Sequence, residues 1–233
     1  MQDNIKKDNI KKRVFEINLN LSRSDLVIQN FGNASSRIKE GFVIKPSGIN
    51  LETSNYKEMI YMDLAGNKIE GNLNPSSDEP THRQLYLSEE SVNGVVHTHS
   101  KFATAFAQAN VDIQNLGTTH SDFSKYQIFV TDQLTEAEVN NDYELNTGKK
   151  IIKRLEKENI KMLEVPGVLS IRHGVFAWGS SVEEAYKNAE IIEYIAELFF
   201  LTKIINPNSD VIESFIADKH FNRKHGPNKY YGQ

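Results

Sequence analysis

Residues 93–108 read NGVVHTHSKFATAFAQ, a β-branched run followed at once by an alanine-rich amphipathic one. The first half predicts a strand over 93–99 and the second a helix over 101–108. On a strand, side chains repeat every two residues, so His97 and His99 share one face. Two cis imidazoles suit a single metal ion, and they equally suit two hydrogen-bonded strand histidines. Distant partners are available. His173 lies between two predicted strands beside Gly174, and Asp78 sits in PSSDEPTH just ahead of a helix. Three imidazoles and one carboxylate form a donor set for zinc or a similar divalent ion, with room for a substrate. No local spacing rule links the four.

Outward from this stretch, strands and helices are interspersed. GFVIKPSG (41–48) and EMIYMDLAGNKIEG (58–71) read as strands, the second folding back at AGN. YQIFVT (126–131) reads as a strand, and GVLSIRHGVFAWG (167–179) as two. Helices are predicted over about 8–20, over 81–87, and over 135–159, where Thr135 and Glu138 have capping-box spacing. A further helix follows Ser181, with Val182, Ala185, Ala189, Ile192, Ala196 and Phe199 on one face. The segment 210–233 begins as a helix and ends in a polar tail, and GNASSR (32–37) reads as a loop. No repeat or Pro/Ser-rich linker divides the 233 residues, so one α/β domain spanning 1–233 is expected.

Composition narrows the function. Lys+Arg 27 against Asp+Glu 31 gives a net charge of −4, which disfavours a nucleic-acid partner. Without cysteine there are no disulfides, thiolate metal sites or thiol nucleophiles, as a reducing cytoplasm would permit. The N-terminal lysines precede no apolar core of a secretory signal. The greasy run 191–205 is broken by Glu193, Glu197 and Lys203, so no membrane span is expected. GxGxxG, GxxxxGK[ST] and GxSxG are all absent. KPSG and PSSDEPTHR could present hydroxyl and N–H groups to a phosphate, although Ser, Pro and Gly more often serve turns and caps.

Taken in order, GNASSR, VIKPSG, EGNLNPSSDEPTHRQLY, GVVHTHSKFATAFAQ, GTTHSD, PGVLSIRHGVFAWG and DKHFNRKHG with YYGQ resemble the L-ribulose-5-phosphate 4-epimerase family. That family lies in the class II aldolase/epimerase superfamily, and the resemblance runs from about residue 13 to Gln233. It implies a three-layer α/β/α sandwich around a large, mostly antiparallel sheet. It also implies a cytoplasmic homotetramer with active sites at subunit interfaces, acting on a sugar phosphate. Metal ligands carry over to Asp78, His97, His99 and His173, with Zn²⁺, or Mn²⁺ or Co²⁺, as the ion. Substrate-binding groups fall on Asn33, Lys45, Ser47, Gly48, Ser76 and Ser77. Asp122 and Tyr231 match the acid/base pair, Tyr231 coming from a neighbouring subunit, and His220 matches a further cross-subunit residue. The fuculose-phosphate type of class II aldolase is the nearest alternative, but it usually places Glu where Asp78 stands. The non-catalytic adducin head is a remoter one and lacks the metal histidines.

Overall fold

The computed structural model describes residues 2–227 and 229–231, with the side chains of residues 2–4 left aside. Among the described residues seven strands form one sheet in the order β4-β3-β2-β1-β5-β7-β6, with every ladder antiparallel. They are β1 (Gly32–Ile38), β2 (Gly41–Ile44), β3 (Ile60–Asp63), β4 (Lys68–Glu70), β5 (Gly94–Thr98), β6 (Gly167–Ser170) and β7 (Gly174–Gly179). Seven α-helices are found among the described residues: α1 (Gln2–Arg23), α2 (Glu79–Ser88), α3 (Lys101–Ala109), α4 (Thr118–Ser121), α5 (Glu136–Lys157), α6 (Val182–Ile205) and α7 (Ser214–His225).

Period-two alternation splits the core into layers. Val96, Val175 and Ala177 face α1, α3 and α6, while Val95, Phe176 and Trp178 face α2 and α5. The result is the expected α/β/α sandwich, its interior filled by β-branched and aromatic side chains. The six residues predicted to face inward on α6 are all buried. Thr135 and Glu138 close their capping box at the start of α5, with Glu138 N–H donating to Thr135 Oγ1 at 3.3 Å. Among the described residues no helix is long and apolar enough to cross a membrane.

Two local expectations fail. GNASSR is not a loop but the body of β1, a central strand paired to both β2 and β5. Its buried Ser35 is satisfied inside, with Oγ 2.7 Å from His82 Nδ1 and 2.8 Å from the Tyr86 hydroxyl. Burial with partners overrides strand propensity here. Conversely, YQIFVT joins no ladder and makes only isolated bridges, Ile128 to Ile113 and Val130 to Leu169. The Lys-rich start, which carries no motif, forms the first turns of α1, where Lys7 and Lys11 both pair with Glu70.

Candidate active site

The site is built where β1, β5 and β7 lie side by side. The register sets Asn33 opposite His97, and His97 opposite Phe176, so all three side chains point to the α2/α5 face. His97 stacks on Phe176 with ring centroids 4.2 Å apart. Its Nδ1–H donates to the Val175 carbonyl at 2.8 Å, leaving the Nε2 lone pair for the site. His99, two residues on, brings its Nε2 within 3.0 Å of His97 Nε2. The β6–β7 turn supplies His173, whose ring centroid lies 4.6 Å from that of His97 and 5.0 Å from that of His99. Gly174 makes this approach feasible, because a Cβ there would sit 2.4 Å from the Thr98 carbonyl oxygen. One ring nitrogen from each of the three histidines falls within 4.8 Å of the others.

Asp78 enters from the start of α2. Its Oδ2 accepts from Asn33 Nδ2 at 2.6 Å and lies 4.0 Å from His97 Nε2. Burial disfavours the Asp78 carboxylate, but His97, His82, the Asn33 hydrogen bond and His173 together hold it below the usual carboxylate range. Burial is also the largest influence on the imidazoles, pushing His99 down to about 4 and His173 to about 3. At neutral pH these groups present lone pairs and an anion, the protonation states a divalent cation requires. Among the described residues Asn33 Oδ1 is a buried acceptor without a partner, held beside Asp78. The donor set therefore fits a resident zinc-like ion.

A cavity of about 360 Å³ holds the three histidines and Asp78 together with Asn33, Lys45, Ser47, Gly48, Ser76 and Ser77. The KPSG and PSSD loops are zipped together: Ser47 N–H donates to the Asn74 carbonyl at 3.0 Å, and Ser76 N–H to the Lys45 carbonyl at 2.9 Å. Gly48 has φ +68, a backbone shape that favours glycine. Lys45 is only 3% exposed, and burial lowers its pKa against the pull of Asp78. A buried cation beside three serines at the start of a helix suits an anion. All ten of these sequence-predicted residues thus share one cavity.

The other three do not line it. Asp122, at the C-terminal end of α4, borders a separate cavity of about 840 Å³. Arg223 of α7 grips it through Nε at 2.9 Å and Nη2 at 2.5 Å, and His220 Nδ1 lies 3.1 Å away. The Arg223 guanidinium also covers the Tyr231 ring at 4.4 Å, and the Arg223 carbonyl accepts from Tyr231 N–H at 3.1 Å. Asp122, His220 and Tyr231 therefore form one patch of a single chain. Burial raises the Asp122 pKa, but Arg223 and His220 outweigh it and keep the carboxylate ionised. Gly232 and Gln233 of the YYGQ motif lie outside the described residues.

Residues 12–200 match the family model described as Class II Aldolase and Adducin N-terminal domain. The chain belongs to that family. Its fold is shared with solved structures at low identity. L-fuculose 1-phosphate aldolase superposes with a TM-score of 0.75 at 22% identity, over 91% of this chain and 95% of that one. YgbL of Escherichia coli, a putative aldolase/epimerase/decarboxylase, gives 0.71 at 18% identity, over 91% and 97%. L-fuculose-1-phosphate aldolase of Thermus thermophilus gives 0.68 at 21%, over 86% and 98%.

In this class II aldolase domain the structure adds groups that the sequence reading passed over. Tyr143 and Glu144 reach the histidine cavity because α5 is broken at Asp142 (φ −166, ψ 87). The Tyr143 hydroxyl lies 3.4 Å from His173 Nδ1. The run Asn140-Asn141-Asp142, of poor helix formers, is the local signal for that break. Arg223 stands inside DKHFNRKHG, and its carboxylate partner Asp122 lies far away in sequence, so no local pattern marks it. Phe31, at the entrance to β1, also lines the cavity.

Proposed function

We propose that this chain is a metal-dependent L-ribulose-5-phosphate 4-epimerase, interconverting L-ribulose 5-phosphate and D-xylulose 5-phosphate in a homotetramer. The observation that carries the reading is the single cavity in which a His₃Asp set adjoins a buried lysine and three serines. The motifs of the sequence, Asp78 in PSSD above all, support the epimerase over the aldolase branch.

The carbon to be inverted bears a hydroxyl but no acidic C–H, so the neighbouring C–C bond must break and re-form. The C4 hydroxyl loses its proton, C4 becomes an aldehyde, and the bond pair passes to the ketose fragment as an enediolate. The aldehyde turns and is re-attacked on its other face, and the new alkoxide is protonated. Held by Asp78, His97, His99 and His173, a divalent cation supplies Lewis acidity toward developing oxyanions. Zn²⁺ suits this donor set, as do Mn²⁺ and Co²⁺. Lys45, Ser47, Ser76 and Ser77 hold the phosphate while the aldehyde turns, and Asn33 fixes Asp78. Asp122, kept ionised by Arg223, acts as base, and Tyr231 as the matching acid; both reach the histidine cavity of an adjacent subunit.

A sugar-phosphate aldolase would share the first half of this chemistry and release the fragments, and the fold similarity to L-fuculose 1-phosphate aldolase favours it as the second reading. Incubation with L-ribulose 5-phosphate separates the two. D-Xylulose 5-phosphate appearing at about one bound ion per chain, and vanishing with EDTA, supports the epimerase. Activity indifferent to metal removal would sink both readings.

A further inference from the structure

We propose that Phe31 retains the cleaved aldehyde in the cavity and so decides between epimerisation and aldol release. This role rests on the epimerase reading. The β1–β5 register pairs Asn33 with His97 and ends at Gly32 with Thr98, and Phe31 and His99 are the residues that flank that last pair. Directly opposed residues of an antiparallel pair share a face, which puts Asn33 on the side of His97, and Phe31 lines the same cavity from just before the strand. The rings meet accordingly, with Phe31 and His99 centroids 6.1 Å apart and tilted by 48°.

Phe31 is a large apolar side chain, yet 56% of its surface is exposed while it lines the cavity of the metal and phosphate groups. Its backbone is held firmly. The Phe31 N–H donates to the Ile28 carbonyl at 3.0 Å, and Gln29 takes a left-handed turn with φ +53. The next residue must be glycine, since a Cβ on Gly32 would lie 2.3 Å from Val27 Cγ1 and 3.0 Å from the His97 carbonyl oxygen. A fixed turn thus presents an aromatic face beside the histidines.

The reaction gives that face a purpose. After cleavage the phosphate end of the aldehyde is anchored by Lys45 and the serines, while its carbonyl must rotate and stay. A polar wall would pin the carbonyl by hydrogen bonds and admit water to hydrate it. An apolar ring does neither. Rotation followed by re-addition gives the epimer. Escape of glycolaldehyde phosphate leaves dihydroxyacetone, once the enediolate takes up a proton.

The test measures D-xylulose 5-phosphate and free glycolaldehyde phosphate together, starting from L-ribulose 5-phosphate, for wild type, Phe31→Ala and Phe31→Trp, with metal content determined in parallel. Phe31→Ala should keep its metal and raise released aldehyde per epimerisation by about tenfold or more, as expected when a hydrophobic contact is removed from a discriminating pocket. Phe31→Trp, which keeps a large apolar ring, should retain the wild-type ratio. An unchanged ratio in a Phe31→Ala enzyme that still epimerises overturns the inference and leaves the epimerase reading standing. Loss of metal from Phe31→Ala also overturns it, because the ring would then be supporting the histidines. A wild-type enzyme yielding only cleavage fragments overturns the epimerase reading and this role together.

Discussion

Two inactive subunits rescue one another only when their lesions fall on different halves of a shared site. Here the halves are well defined. His97 belongs to the metal cavity, whereas Asp122, His220 and Tyr231 are gathered by Arg223 on another part of the same chain. In a closed ring of four subunits, each site would join the histidine cavity of one subunit to the Arg223 patch of the next. Subunits carrying His97→Asn keep the patch, and those carrying Tyr231→Phe keep the metal cavity. After random exchange of equal amounts, a site is intact when its cavity comes from one kind and its patch from the other. Each condition is met half the time, so about one quarter of wild-type activity should return. Mixing Asp122→Asn with Tyr231→Phe is different, because every patch then carries one lesion and activity should stay at the residual level of the parents. The assay is D-xylulose 5-phosphate production, with native mass spectrometry confirming mixed tetramers. Recovery of about a quarter from the second mixture would mean that Asp122 and Tyr231 reach one site from two chains, contrary to their shared contact with Arg223. No recovery from the first mixture would refute a site shared between subunits.

Asp122→Asn should lower kcat by about 100-fold or more, as for a lost acid/base group, while metal analysis finds the wild-type content. Glu193 of α6 caps α3 with both oxygens, accepting from Phe102 N–H at 2.8 Å and Ala103 N–H at 2.9 Å directly after the His99 loop. Glu193→Ala should cost about 1 kcal/mol of stability by urea unfolding and weaken metal retention, with Glu193→Gln intermediate. Burial pushes His82 down to about 3 and His120 to about 4. Unfolded, each titrates near 6.5, so their stabilising effect is complete above that pH and is lost as pH falls toward the folded values. Each should therefore remove about 2 kcal/mol between pH 7.5 and pH 5, and His120→Gln should flatten the pH dependence of the urea midpoint.

How far the sequence carried the site follows from which contacts are local. His97 and His99 could be placed together because strand period fixes two residues i and i+2 without any tertiary knowledge. The helix after Ser181 was equally legible, since its inward face recurs at 3 and 4 and the structure buries that face. His173 and Asp78 could not be joined to them by pattern. Their approach depends on the sheet order, which sets β7 beside β5 although His99 and Gly174 are 75 positions apart, and on β1, which bridges Asn33 to Asp78. β1 is also the strand whose sequence reads as a loop, for a related reason. GNASSR has the composition of a turn, and as a central strand it relies on other elements for its polar groups: His82 and Tyr86 for Ser35, Asn18 for the Ala34 N–H and the Asn93 carbonyl for Ser36. A strand of this kind can hold Asn33 against Asp78 and lead Phe31 up to His99, which a Val/Ile-rich strand could do only by giving up the polar groups that face the site. The stretch least recognisable by propensity is thus the one most committed to chemistry, as expected where local preference yields to function.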